Sequence, residues 1–184
     1  MSELGVSAVE AINWLTKFCG DVSRLVTTVE DSLRSRGCKN PWGGVSFWQR
    51  SAAYYAPDRW IPRYLCRVYV LTDSEEQDAQ ATQKRWAFFL VYLSPKLLPE
   101  PVALWGVLSL VTPGNAWAVM DRWLIGDDGP PFLDRLDVAS WETAARCPEG
   151  VESFLYRACP VVELRDSKMV EEKVVNPIWE QLNR

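Results

Sequence analysis

Between Arg34 and Thr72 the chain interleaves cations with rings. Seven basic residues (Arg34, Arg36, Lys39, Arg50, Arg59, Arg63 and Arg67) face one acidic residue, Asp58, and eight aromatics run among them: Trp42, Phe47, Trp48, Tyr54, Tyr55, Trp60, Tyr64 and Tyr69. That combination suits three kinds of contact. In single-stranded nucleic-acid grooves, ring faces stack on bases while Arg and Lys neutralise phosphates. In protein interfaces, Trp, Tyr and Arg supply most of the binding energy. Inside a fold, rings on one side of a sheet form core and arginine stems lie over rings on the other side. The segment carries +6 (seven minus one) in a chain of net charge −4, so the remainder is −10. Such asymmetry points to an anionic partner. The expected binding residues are Trp42, Trp48, Arg50, Arg59, Trp60, Arg63, Arg67 and Tyr69. The first expectation is a protein partner with an acidic surface; nucleic acid or another anionic ligand is the alternative. No RNA-module aromatic signature accompanies them.

Catalytic chemistry is constrained by composition. The chain has no histidine, which removes Ser-His-Asp and Cys-His nucleophile activation, a His general base and a His metal ligand. Asp, Glu, Lys, Tyr and Cys remain available for acid–base work. The sequence contains no S-x-x-K, G-x-S-x-G, Walker A or G-x-G-x-x-G motif. The carboxylates Asp121, Asp127, Asp128, Asp134 and Asp137 suit oxygen ligation of Mg²⁺ or Ca²⁺ by type, but their order does not match an EF-hand loop. Asp127 and Asp128 precede Gly129, where Asp is favoured for turn hydrogen bonds, so no metal is expected. Cys147-Pro148 and Cys159-Pro160 have the dipeptide form that can accompany thiolate–haem ligation. Packing as small apolar residues is the simpler reading, and no cofactor is expected.

These residues need elements to hold them. Ser7 with Glu10 has capping-box spacing. Val9, Ile12, Leu15, Cys19, Val22, Val26, Val29 and Leu33 recur at three- and four-residue steps, which predicts a helix over 7–36 with Gly37 as its C-terminal cap and a break or bend at Gly20-Asp21. A helix packed across a sheet is expected; a dimerising helix is the alternative. Strand-like runs follow at 45–55, 64–72, 85–93 and 102–111. In the second of these, Tyr64, Cys66, Val68 and Val70 face one way while Arg63, Arg67 and Tyr69 face the other, which reads as one wet side. The runs at 85–93 and 102–111 are apolar on both faces and read as central. Thr112-Pro113-Gly114-Asn115 reads as a hairpin-like turn, and 116–125 fits either a strand or a helix. Pro131 suits the first turn of a helix reaching about Arg146. A strand over 151–164 is expected to end or lie at an edge near Pro160. A helix over 167–182 is kinked or restarted at Pro177.

The fold class expected is α+β: one domain over 1–184, with an antiparallel meander sheet of about five to six strands, a long N-terminal helix and C-terminal helices packed on it. Ten tryptophans in 184 residues imply a strongly aromatic core, an aromatic surface, or both. Five cysteines without C-x-x-C spacing, no basic-then-apolar leader and no apolar run near ~20 residues suggest a cytoplasmic chain with reduced thiols and no membrane contact. The function expected is non-catalytic: a protein-binding or accessory protein using the basic-aromatic segment, with homodimerisation open. A small-molecule-sensing domain (PAS-, GAF- or profilin-like by element order) and single-stranded nucleic-acid binding are the alternatives.

Overall fold

The structure is a computed structural model, and it describes residues 3–41, 64–71, 83–93, 100–114, 116, 120, 138–143, 147 and 149–184. The expected strand at 45–55, most of the stretch between the strands at 64–72 and 85–93, most of 116–125 and the carboxylates Asp121 to Asp137 lie outside the described residues. Within 116–125, the Met120 amide donates to the Ala116 carbonyl at 3.0 Å, the i to i+4 pattern of a helical turn.

Helix α1 spans Glu3–Arg34. It begins four residues earlier than the capping-box pattern suggests, so Ser7 and Glu10 lie inside it. It runs through Gly20-Asp21 without a break, because the glycine's propensity cost of about 1 kcal/mol is small beside the packing of the following turns. Val22, Leu25, Val26, Val29 and Leu33 are buried, and each such side chain contributes about 1.5–3 kcal/mol when taken out of water. Gly37 ends the helix at φ 87°, with its amide donating to the Arg34 carbonyl at 3.0 Å, as expected of a glycine past a helix end.

Among the described residues the sheet has six antiparallel strands: β1 (Cys38–Lys39), β2 (Tyr64–Leu71), β3 (Arg85–Tyr92), β4 (Val102–Leu110), β5 (Val138–Thr143) and β6 (Val151–Pro160). Their order is β1-β2-β3-β4-β6-β5. The first four form a meander. β6 then takes the place beside β4, and β5 lies outside it, so β6 is an interior strand that Pro160 ends rather than an edge. The helix expected from Pro131 to Arg146 is corrected over its second half. Val138–Thr143 is a strand because it can pair with β6, Thr143 lying opposite Leu155. That long-range partner outweighs local helical preference in a stretch holding β-branched and aromatic residues.

The C-terminal segment is helical in three parts: α2 (Ser167–Val170), a π-helical stretch (Glu171–Val175) and α3 (Asn176–Leu182). The Asp166 carboxylate caps α2 by accepting from the Met169 amide. The wider π turn precedes Pro177, which has no amide hydrogen to donate, so the proline is absorbed without a sharp break.

Both faces of the sheet are buried. One bears Tyr69, Phe89, Val91, Trp105 and Val107 and packs against α1 and the C-terminal helical segment. The other bears Trp86, Phe88, Leu90, Leu104, Leu108 and Phe154, with Ala116 and Met120 in the same cluster. Arg36, just past α1, ties the helical layer together: its guanidinium donates to Glu171 and, at 2.7 Å, to Asn176 Oδ1.

Candidate functional site

Of the eight residues expected to bind, Trp42, Trp48, Arg50, Arg59, Trp60 and Arg63 lie outside the described residues. The other two are inside the fold. The wet side expected for the strand at 64–72 is absent, because α1 lies over it. Tyr69 is 1% exposed. Arg67 Nε sits 3.2 Å from Glu30 Oε2 of α1, the two side chains being 16% and 17% exposed. Alternation along one strand reports which residues share a face, but not whether a distant helix covers it.

The register places Arg67 beside Phe89, Phe89 beside Trp105, and Trp105 beside Arg157. The Arg157 guanidinium carbon then lies 4.9 Å from the Trp141 ring centroid. One cross-sheet row from β2 to β5 thus sets two rings, Phe89 and Trp105, between two arginines, with Trp141 beyond the second. The two described members of the expected binding set, Arg67 and Tyr69, are therefore internal, while Arg34 and Lys39 of the same segment are exposed. Burial of the Arg157 guanidinium pulls its pKa down, with Glu180 acting the other way. The Tyr69 hydroxyl and Trp105 Nε1 are buried with no hydrogen-bond partner among the described residues. Burial, reinforced by the Glu30 carboxylate, pushes the Tyr69 phenol well above its ordinary value. Burial also pushes the Cys38 thiol up to about 11 and Cys66 up to about 12. Neutral, enclosed thiols are poor nucleophiles. Cys159, of the second Cys-Pro pair, is likewise a buried core residue.

The surface that stands out is on α1. The helix is about 48 Å long at 1.5 Å per residue; its fully buried side chains begin at Val22, with Phe18 partly buried against the same cluster. Its first half leaves Val6, Val9, Ile12 and Trp14 exposed, Ile12 at 63% and Trp14 at 65%. Helical spacing sends these four side chains to different sides, so this half is apolar around much of its circumference. Such helices are ordinarily covered. Trp14 stacks on Phe18 with ring centroids 5.3 Å apart. Phe18 also lines a half-open groove of about 590 Å³ between α1 and the segment at 161–170. Val22, Leu25, Leu164 and Val170 form its apolar floor, and Arg24, Arg165 and Asp166 stand among its lining residues. Val162, also in the lining, is itself exposed.

Val9 and Ile12 belong to the helix stripe expected to face the core, while Val6 and Trp14 lie off it. Those two, apolar at positions off the stripe, were the available signal. No helix among the described residues is long and apolar enough to cross a membrane. No protein-family model, curated protein or solved structure matches the chain.

Proposed function

We propose that this chain is a non-catalytic protein-binding accessory protein that presents the first half of α1 to its partners. The observation carrying this reading is the run of exposed apolar side chains, Val6, Val9, Ile12 and Trp14, on a helix that is otherwise anchored in the core. Several exposed apolar side chains on one half of a helix suit an interaction site, and an aromatic anchor such as Trp14 is a common energetic centre. The raised thiols of Cys38 and Cys66 support the non-catalytic part, since burial holds them in the unreactive form. Five free cysteines suit a reducing compartment, and a cytoplasmic setting belongs to this reading.

An acidic partner surface would engage the exposed cations of the basic-aromatic segment, among them Arg34 and Lys39. Affinity capture from the source cells with the full chain and with Val9→Glu/Ile12→Glu tests the proposal. Loss of the captured partners with an unchanged circular dichroism spectrum is the expected result. Retention of every partner by the variant contradicts it. Arg59→Glu/Arg63→Glu tests the acidic-partner element separately.

The small-molecule-sensing alternative has one observation in its favour, the groove beside Phe18. Thermal shift across a metabolite panel checks it: a ligand-dependent rise in melting temperature that Leu25→Trp abolishes supports a small-molecule site.

A further inference from the structure

We infer that one occupant of the α1 surface is a second copy of this chain, the two α1 helices pairing antiparallel about a two-fold axis near Trp14. The inference rests on the protein-binding reading above and names its partner. Trp14 stacks on Phe18, and Phe18 lines the groove with Asp21, Arg24, Leu25 and Thr28. At 100° per residue, Glu10, Trp14, Lys17 and Asp21 fall on that same side. The protruding half of α1 and the groove are thus successive stretches of one helix side.

An isologous interface needs a patch that complements itself under rotation. Here the protrusion and the depression lie at a fixed offset along one helix. Antiparallel pairing therefore lays each protruding half along the other copy's groove, twice by symmetry. Charge agrees with this direction. The exposed Glu10 precedes the axis and the exposed Lys17 follows it, so Glu10 of each copy meets the other copy's Lys17 on either side of the central tryptophans. Parallel pairing would instead set Glu10 against Glu10. Antiparallel helices also oppose their macrodipoles favourably. A bare helix pair buries less than the roughly 800 Å² per partner of a standard interface. The groove walls, including the exposed Val162, supply further area, and a reversible dimer follows.

Sedimentation velocity of the full chain from about 1 to 200 μM, spanning the range of reversible dimers, tests this with four single variants and one double variant. Trp14→Glu weakens the dimer by at least ~100-fold, as expected for a central aromatic anchor. Glu10→Lys and Lys17→Glu each weaken it about tenfold, from two rim pairs worth about threefold each, and the two together restore it. Ile12→Glu, on the opposite side of α1, leaves the dimer intact. A chain that stays monomeric throughout overturns self-pairing, as does a dimer indifferent to Trp14→Glu or broken equally by Ile12→Glu. If the monomeric chain still loses cellular partners on Val9→Glu/Ile12→Glu, self-pairing falls while the protein-binding reading stands.

Discussion

Glu30 of α1 and Arg67 of β2 form an ion pair at 3.2 Å, each side chain more than four-fifths covered. Glu30 also accepts from Arg34 at 2.7 Å within its own helix. This pair fixes the helix over the strand and turns an arginine that reads as solvent-facing into an interior group. Removing Glu30 takes its carboxylate away from Arg67 in a largely covered site, and removing Arg67 leaves Glu30 paired with Arg34. Glu30→Ala or Arg67→Ala alone is expected to cost about 2–4 kcal/mol, while Glu30→Leu/Arg67→Met together costs much less than the sum. Urea unfolding of the three variants measures this. Tyr69→Phe, which removes a hydroxyl with no partner among the described residues, is expected within about 1 kcal/mol of neutral or stabilising.

The opposite face of the sheet depends on a missing side chain. Gly106 of β4 pairs with Phe88 of β3, and the Phe88 ring stacks on Phe154 with centroids 5.0 Å apart. A Cβ on Gly106 would lie 2.9 Å from the Phe88 ring and run into the Leu155 carbonyl oxygen. Backbone cannot yield as a flexible side chain can. Gly106→Ala is expected to destabilise by about 1–3 kcal/mol or more, read as a lower melting temperature with an aromatic circular dichroism change.

The buried thiols set an alkaline limit. Their ordinary value is 9.0, but folding raises Cys38 to about 11 and Cys66 to about 12. Below about pH 9 folded and unfolded chains are both protonated there, and the contribution to stability is full. As pH rises from 9 toward 12 the unfolded chain releases these protons first, so stability falls. The urea midpoint is expected to drop between pH 8 and pH 10.5, and Cys66→Ala should flatten the drop. In native labelling at pH 8 Cys19, the exposed thiol, reacts first, while Cys38, Cys66 and Cys159 wait for unfolding.

The regular parts of the fold were legible wherever one local pattern decided them. The Val22–Leu33 stripe, the glycine at position 37 and the doubly apolar runs of β3 and β4 each carry their own signal, and their ends fall within a few residues of expectation. Two readings failed for one physical reason, a partner far away in sequence. Arg67 alternates like a surface residue, but Glu30 neutralises it from a helix more than thirty residues earlier. Val138–Thr143 follows a good helix start at Pro131, yet β6 recruits it as an edge strand. The candidate surface was half legible. Trp14 and Val6 break the stripe in plain sight, but only the position of the sheet shows that α1 outruns its support. Six of the eight residues expected to bind lie outside the described residues, and the segment's other two serve the interior.

The contact role of the first half of α1 is tested most directly by site-specific photo-crosslinking in the source cells. A photoreactive residue replaces Ile12, Trp14 or, as an exposed control on α2, Lys168. Discrete crosslinked species are expected from positions 12 and 14, with a species of twice the monomer mass from position 14, and none from position 168. Absence of crosslinks from both α1 positions, or an equal yield from position 168, would contradict a binding surface on this helix.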